Sequence, residues 1–154
     1  MSFDTRNGTR GGRQPGGPLL RWVNKLAARR IARKGKMPGL AFNALLLTTV
    51  GRKSGEERTT PVGWFPGRDG SWLIVAAAAG APKNPAWYYN LAAHPDQVRI
   101  QLKGRTVAVT AHQLHGAERD EAWHQITTAA AQFRKYQEHT DRELPIIRLD
   151  PKHA

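Results

Sequence analysis

The sequence predicts an α+β fold in which an antiparallel sheet is closed, or nearly closed, into a barrel and flanked by helices. Three observations predict it. Short apolar and Thr-rich runs follow one another across turns between residues 44 and 78, and again between 97 and 113, as hairpin strands do. Two or three other segments place their apolar residues at helical spacing. At 154 residues the chain has the length of one domain with one proper core.

Taken in order, residues 1–17 are mostly Gly, Arg, Asn, Gln and Pro with almost nothing apolar. That composition does not offset the entropy of ordering and predicts a disordered basic arm. The pattern changes at Pro18, which suits a first helical turn. Leu19, Leu20, Trp22, Val23, Leu26, Ala27 and Ile31 then share one side of a helical wheel, with Arg21, Lys25 and Arg29 opposite. A basic amphipathic helix is predicted over 18–34, within a segment that ends at residue 36. Two placements stay open for it: in a membrane interface on anionic lipid, or packed on its own barrel with the basic face solvated.

Residues 37–154 form the predicted barrel domain. The run 44–50 is a strand; 59–65 follows an eight-residue polar loop; 72–78 follows the turn at 66–70. Together these predict a three-strand meander. Lys83-Asn84-Pro85 announces a helix with Asn84 as N-cap and Pro85 at the first helical position, running to Ala93 and stopped by His94-Pro95. Strands 97–102 and 106–113 are joined through Lys103-Gly104-Arg105. A helix over 118–136 carries Ala122, Trp123, Ile126, Ala130 and Phe133 at helical period, and a strand over 145–149 closes the sheet.

Composition excludes several functions. With no cysteine there are no disulfides, thiolate metal sites, iron–sulfur clusters or thiol nucleophiles. The net charge of +12 suggests a polyanion partner, but residues 1–39 hold ten Lys or Arg against the single acid Asp4, nine of the twelve units of net positive charge. The remaining chain need not bind nucleic acid. No apolar run approaches the roughly 20 residues that span a bilayer, and no secretory leader is visible, so the expected address is the cytoplasm. The G-x-G-x-x-G fingerprint is missing, and Lys53 does not follow a glycine as a P-loop lysine does. His112 and His115 stand at a strand end without a third ligand nearby in sequence, and no metal site is expected.

What remains is Gly51-Arg52-Lys53-Ser54-Gly55-Glu56-Glu57-Arg58. Its glycines permit positive φ, so backbone N–H groups can converge on an anion, while Arg52, Lys53 and Arg58 add fixed charge suited to a phosphate. Such a turn is also compatible with simple solvation. The string Leu45-Leu46-Leu47-Thr48-Thr49-Val50-Gly51-Arg52-Lys53-Ser54-Gly55 resembles the phosphate-binding segment of deazaflavin-dependent nitroreductases. So do residues 73–77, then Lys83-Asn84-Pro85-Ala86-Trp87-Tyr88-Tyr89-Asn90-Leu91, then Thr140-Asp141-Arg142-Glu143-Leu144-Pro145-Ile146-Ile147, in family order over residues 40–151.

That resemblance implies a split β-barrel, related to flavin-binding oxidase and reductase folds, that binds coenzyme F420 in place of flavin mononucleotide. It implies that Arg52, Lys53, Ser54 and Arg58 hold the cofactor's phosphate-bearing tail. Pro61, Val62, Ala76 and Ala77, with Lys83, Asn84, Trp87 and Asn90 on the following helix, would surround the ring. Tyr136 falls where the family places substrate-facing aromatics, and is the side chain to supply a proton if water does not. The implied activity is hydride transfer from reduced F420 to a quinone, an enone or a nitro compound.

The chain departs from nitroimidazole-activating members of the family, which carry several tyrosines where this one has Ala130 and Phe133. Its loop Ala78-Ala79-Gly80-Ala81-Pro82 also lacks their Ser-Lys pair and is one residue shorter, which weighs against bicyclic nitro compounds. Rival readings are a flavin mononucleotide enzyme on the same barrel, a cofactor carrier without catalysis, and a nucleic-acid module. A monomer or a homodimer is expected, with peripheral membrane contact through 18–34 at the inner face of the plasma membrane as one option.

Overall fold

The computed structural model describes residues 3–11 and 43–152. Seven antiparallel strands make one curled sheet: β1 (Ala44–Val50), β2 (Glu57–Gly63), β3 (Phe65–Pro66), β4 (Trp72–Val75), β5 (Val98–Leu102), β6 (Arg105–Gln113) and β7 (Ile146–Pro151). Three helices flank it: α1 (Ala86–Ala93), α2 (Gly116–Ala129) and α3 (Gln132–Glu138). The strand order is β2-β1-β5-β6-β7-β4-β3, an open half-barrel among the described residues.

The expected meander stops after its first hairpin. β1 and β2 pair from Ala44↔Gly63 to Val50↔Glu57 as anticipated. At Trp64 the chain leaves the hairpin, its N–H donating to the Asn43 carbonyl at 2.9 Å. Phe65 then pairs with Leu73 at the opposite end of the sheet, and β4 pairs with β7 instead of β2. The two outermost strands are thus consecutive in the chain, joined through Trp64.

The strand alternation divides the core in two. Trp72, Ile74 and Ala76 face one cluster with Leu45, Leu47, Ile100, Trp87 and Tyr88 inside the curl. Leu73, Val75 and Ala77 face the other, under α2 and α3, with Ile126, Phe133 and Leu144. The turn that follows β4 therefore lies between both clusters.

Three further expectations are corrected. The strand expected over 72–78 ends at Val75, because Ala78 and Ala79 take left-handed backbone (φ 47 and 53). Pro85, extended at φ −65 and ψ 155, occupies the position before α1, and the Asn84 side chain makes no cap bond. The helix expected over 118–136 is two helices. Thr127 and Thr128 turn their hydroxyls back onto the carbonyls of Trp123 and His124 at 2.8 and 2.7 Å, which weakens the helical ladder, and Ala130 leaves it at φ −144 and ψ 89. The break lets Ala130 and Phe133 both reach the second cluster.

Residues 3–11, expected to lack order, lie against the barrel. Phe3 packs edge-on to Tyr88 at 5.6 Å between ring centres, and Gly8 N–H donates to the Pro82 carbonyl at 2.6 Å. The composition argument missed them because one apolar contact, Phe3 on the first cluster, and hydrogen bonds to distant residues hold this segment. The predicted helix over 18–34 lies outside the described residues. Among those described, no helix is long and apolar enough to cross a membrane.

Candidate functional site

The cationic turn is a closed local structure. Gly51 N–H donates to the Glu56 carbonyl at 2.7 Å, and Gly55 N–H to the Gly51 carbonyl at 2.9 Å, with Gly55 at φ +73. A side chain at Gly55 would strain that conformation. Ser54 Oγ accepts the Glu56 N–H at 3.1 Å, so this hydroxyl stays within the turn.

Asn90 on α1 fastens the turn to the barrel. Its Oδ1 accepts the Arg52 N–H at 3.1 Å and its Nδ2 donates to Thr49 Oγ1 at 3.1 Å, with the side chain 7 % exposed. The Arg52 guanidinium lies 4.6 Å from the centre of the Tyr89 ring, a cation–π contact. Arg58 pairs with Glu56 at 3.5 Å, both well exposed. Lys53 makes no ion pair among the described residues.

These side chains face a cleft of about 500 Å³ between β2 and the start of α1. Arg52, Lys53, Ser54, Arg58, Trp87 and Asn90, half of the expected cofactor contacts, line it together with Thr59 and Thr60. Pro61 and Val62 continue β2 beyond the cleft, half-buried. Lys83 is exposed and Asn84 is buried beside it.

Asn84, Ala76 and Ala77 are drawn together by Arg142, whose importance the sequence does not announce. Arg142 is 2 % exposed. Its Nη1 donates to the Ala76 carbonyl (2.8 Å) and Asn84 Oδ1 (2.6 Å), its Nη2 to the Ala77 carbonyl (2.8 Å) and its Nε to the Ala81 carbonyl (3.2 Å). Burial pulls its pKa below the ordinary guanidinium value. An arginine nonetheless stays protonated in proteins.

The N-terminal segment closes this network. Asn84 Nδ2 donates to the Thr5 carbonyl at 3.0 Å; Asn7 Oδ1 accepts both the Asn84 N–H (3.2 Å) and the Tyr89 hydroxyl (2.6 Å). Tyr88, whose pKa is raised chiefly by burial, accepts the Thr5 N–H at 3.0 Å and donates to Gln113 Oε1 at 2.6 Å. Asp141 receives the N–H groups of Thr9 and Arg10 and the Thr9 hydroxyl, which hold its pKa down at about 2.

Tyr136 stands elsewhere. It packs on Phe133 at 5.7 Å and belongs with the second cluster, whereas Trp87 belongs to the first. Its backbone carbonyl abuts Gly80: a Cβ there would lie 2.5 Å from it.

The sequence profile of the F420H(2)-dependent quinone reductase family matches residues 21–151. The chain belongs to that family. An F420H(2)-dependent quinone reductase of Mycobacterium tuberculosis is 37 % identical over 118 residues, covering 74 % of this chain and 76 % of that protein. Among solved structures, an F420-H2 dependent reductase, FDR-A, shares 34 % identity with a TM-score of 0.62, over 70 % of this chain and 93 % of its own. A structure described as a domain-swapped dimer shares 32 % identity, with a TM-score of 0.64 over 86 % of this chain and all of that one. A FAD-binding protein from Mesorhizobium loti, 12 % identical with a TM-score of 0.51, is alike in fold alone.

The quinone reductase family is F420H2-dependent, so this chain is an oxidoreductase whose cofactor is coenzyme F420, on the split barrel its motifs imply. The residues present fit that cofactor. Three cations face one cleft with a single paired acid, Glu56, the complement of a tail bearing a phosphodiester and carboxylates. Just past the end of β2, Trp64 keeps its indole Nε1 buried without a hydrogen-bond partner among the described residues.

Proposed function

We propose that the cleft between β2 and α1 holds the tail of F420, and that its ring and a quinone acceptor lie beyond it along β2, toward Ala76 and Ala77. The observation that carries this reading is the meeting of Arg52, Lys53 and Arg58 around one 500 Å³ cleft with Trp87 and Asn90. Arg52 and Lys53 grip the tail phosphate, Arg58 supports them once freed from Glu56, and Ser54 and Asn90 keep the turn in shape. Pro61, Val62, Ala76 and Ala77 flank the ring, with Trp87 at its side and Lys83 at the rim. Asn84 acts from beneath, since its amide is committed to Arg142 and Thr5.

Reduced F420 supplies a hydride from its ring carbon. The protein's part is to hold the acceptor against that carbon, a placement worth up to about 7–11 kcal/mol when geometry is good. The proton that completes quinone reduction comes from water or from Tyr136, which packs with the second cluster, across the sheet from Trp87. Tyr136→Phe should lower turnover at unchanged cofactor affinity; unchanged turnover assigns that proton to water.

Titration with F420 should change the cofactor's fluorescence, and reduced F420 should be oxidised in the presence of a quinone series. Tight binding of flavin mononucleotide with no response to F420 would overturn the assignment; F420 binding without acceptor-dependent oxidation would leave a carrier. Deleting residues 18–34 alone should release the protein from anionic vesicles if that segment docks on lipid, and sizing the full chain in solution tells monomer from homodimer.

A further inference from the structure

Two neighbouring residues of α1 hold Arg52 at both ends. Asn90 Oδ1 accepts its backbone N–H at 3.1 Å, and its guanidinium lies over the Tyr89 ring, 4.6 Å from the centre. Successive helical residues point about 100° apart, so Asn90 is buried under the turn while Tyr89, half-buried, presents a ring face to the side chain. The ring is itself fixed. Its hydroxyl donates to Asn7 Oδ1 at 2.6 Å and accepts Asn84 Nδ2–H at 3.4 Å, and it packs edge-on with Tyr88 at 5.4 Å between ring centres.

The kind of partner matters for a residue that receives an anion. A carboxylate beside Arg52 would occupy its N–H donors and cancel its charge, as Glu56 does for Arg58. A phenol face attracts the guanidinium through the ring quadrupole, leaves the charge whole and takes none of its five in-plane donors. Among the described residues no carboxylate pairs with Arg52. A solvated arginine otherwise spreads over many rotamers, and ordering it at the moment of binding costs affinity. Fastened at its backbone by Asn90 and at its guanidinium by Tyr89, Arg52 is in place before a ligand arrives.

Resting on the proposed seat of the F420 tail in the cleft, we infer that Tyr89 is a positioning residue for the cofactor: it holds the Arg52 guanidinium at the cleft with every donor free for the tail phosphate. Tyr89 does not line the cleft itself and acts only through Arg52. Asn7 and Asn84 act one step further out by aiming the ring, which gives the N-terminal segment a part in cofactor affinity.

The test is a double-mutant cycle on the full chain, read as the Kd for F420 from cofactor fluorescence at low salt. Tyr89→Leu keeps an apolar side chain against the first cluster but removes the π face, and should weaken binding about three- to five-fold, the worth of a cation–π contact at a solvated site. Tyr89→Phe keeps the face and loses only the hydroxyl tether, and should stay within about two-fold of the parent. In an Arg52→Ala background Tyr89→Leu should cost nothing further. With reduced F420 and a quinone, the loss should fall on KM and not on kcat, as for a contact equally strong in ground and transition states. In the protein without cofactor, the ring current of Tyr89 should move the Arg52 side-chain proton resonances upfield, and Tyr89→Leu should abolish that shift. The same loss for Tyr89→Leu with and without Arg52 would make Tyr89 a packing residue and overturn the inference. So would Tyr89→Phe failing as badly as Tyr89→Leu. An unaltered protein with no ring-current shift at Arg52 also overturns it, a readout that stands even if the leucine variant does not fold. Undiminished F420 binding by Arg52→Ala would remove the tail seat itself and the inference with it, an outcome told apart because it appears without any change at Tyr89.

Discussion

Arg52 and Arg142 are the same residue type used in opposite settings. Arg52 stands in a solvated turn, its guanidinium resting on the Tyr89 ring and lining an open cleft. Arg142 is 2 % exposed and spends its donors on four oxygens of residues 76–84. A charge in water can be removed without disturbing the fold, so it is free to serve a ligand; a charge in the interior is part of the fold. The turn is therefore expected to govern affinity and the buried guanidinium stability.

The largest effect should come from Arg142→Met. The Ala77 carbonyl keeps the Gly80 N–H, but three acceptors lose their recorded donor at once, each worth about 1–3 kcal/mol when buried, for a combined loss of at least about 3 kcal/mol in urea unfolding. A loss below about 1 kcal/mol would erase the contrast with Arg52. Next, the double change Arg52→Ala and Lys53→Ala should raise the Kd for F420 about 100-fold at low salt, roughly 3 kcal/mol, and less at high salt where the attraction is screened. Its urea midpoint should stay within about 0.5 kcal/mol of the parent, as surface changes do.

A smaller effect is expected at Asn7, which belongs to the buried network yet lies at the surface. Asn7→Ala removes one acceptor shared by Asn84 and Tyr89 and should cost about 1 kcal/mol, while Asn7→Asp keeps the accepting oxygen and should restore it. The smallest concerns Asp141. Its folded pKa of about 2 lies below the ordinary 3.8, so its tether to Thr9 and Arg10 contributes above pH ~4 and is lost as the pH falls toward 2. The amide resonances of Thr9 and Arg10 should shift through that window; a midpoint at or above 3.8 would mean the carboxylate is not bonded to them.

The cationic turn and β1 were legible because each is local: seven successive residues suit a strand, and the turn's glycines and cations are adjacent. The strand order was not, since β4 pairs with β7 more than 70 residues away, and nothing in residues 59–78 says that Trp64 diverts the chain. Arg142 was included in a matched segment, but its partners at 76, 77, 81 and 84 are joined only by folding. The segment 3–11 was misjudged for the same reason: Thr5, Asn7 and Thr9 are polar because their partners are polar, at residues 84, 88, 89, 113 and 141. Composition reads such a stretch as unable to fold by itself, which says little about a surface that receives it.

The half-barrel has an unusual border. Residues 57–66 provide both its first and its last strand, with only Trp64 between them. Unpaired strand borders recruit other chains into shared sheets and aggregates. Here the two vulnerable margins are consecutive in the chain, and the residue between them is fixed by its backbone N–H on Asn43 and its indole on the first cluster, so loosening Trp64 would free both margins together.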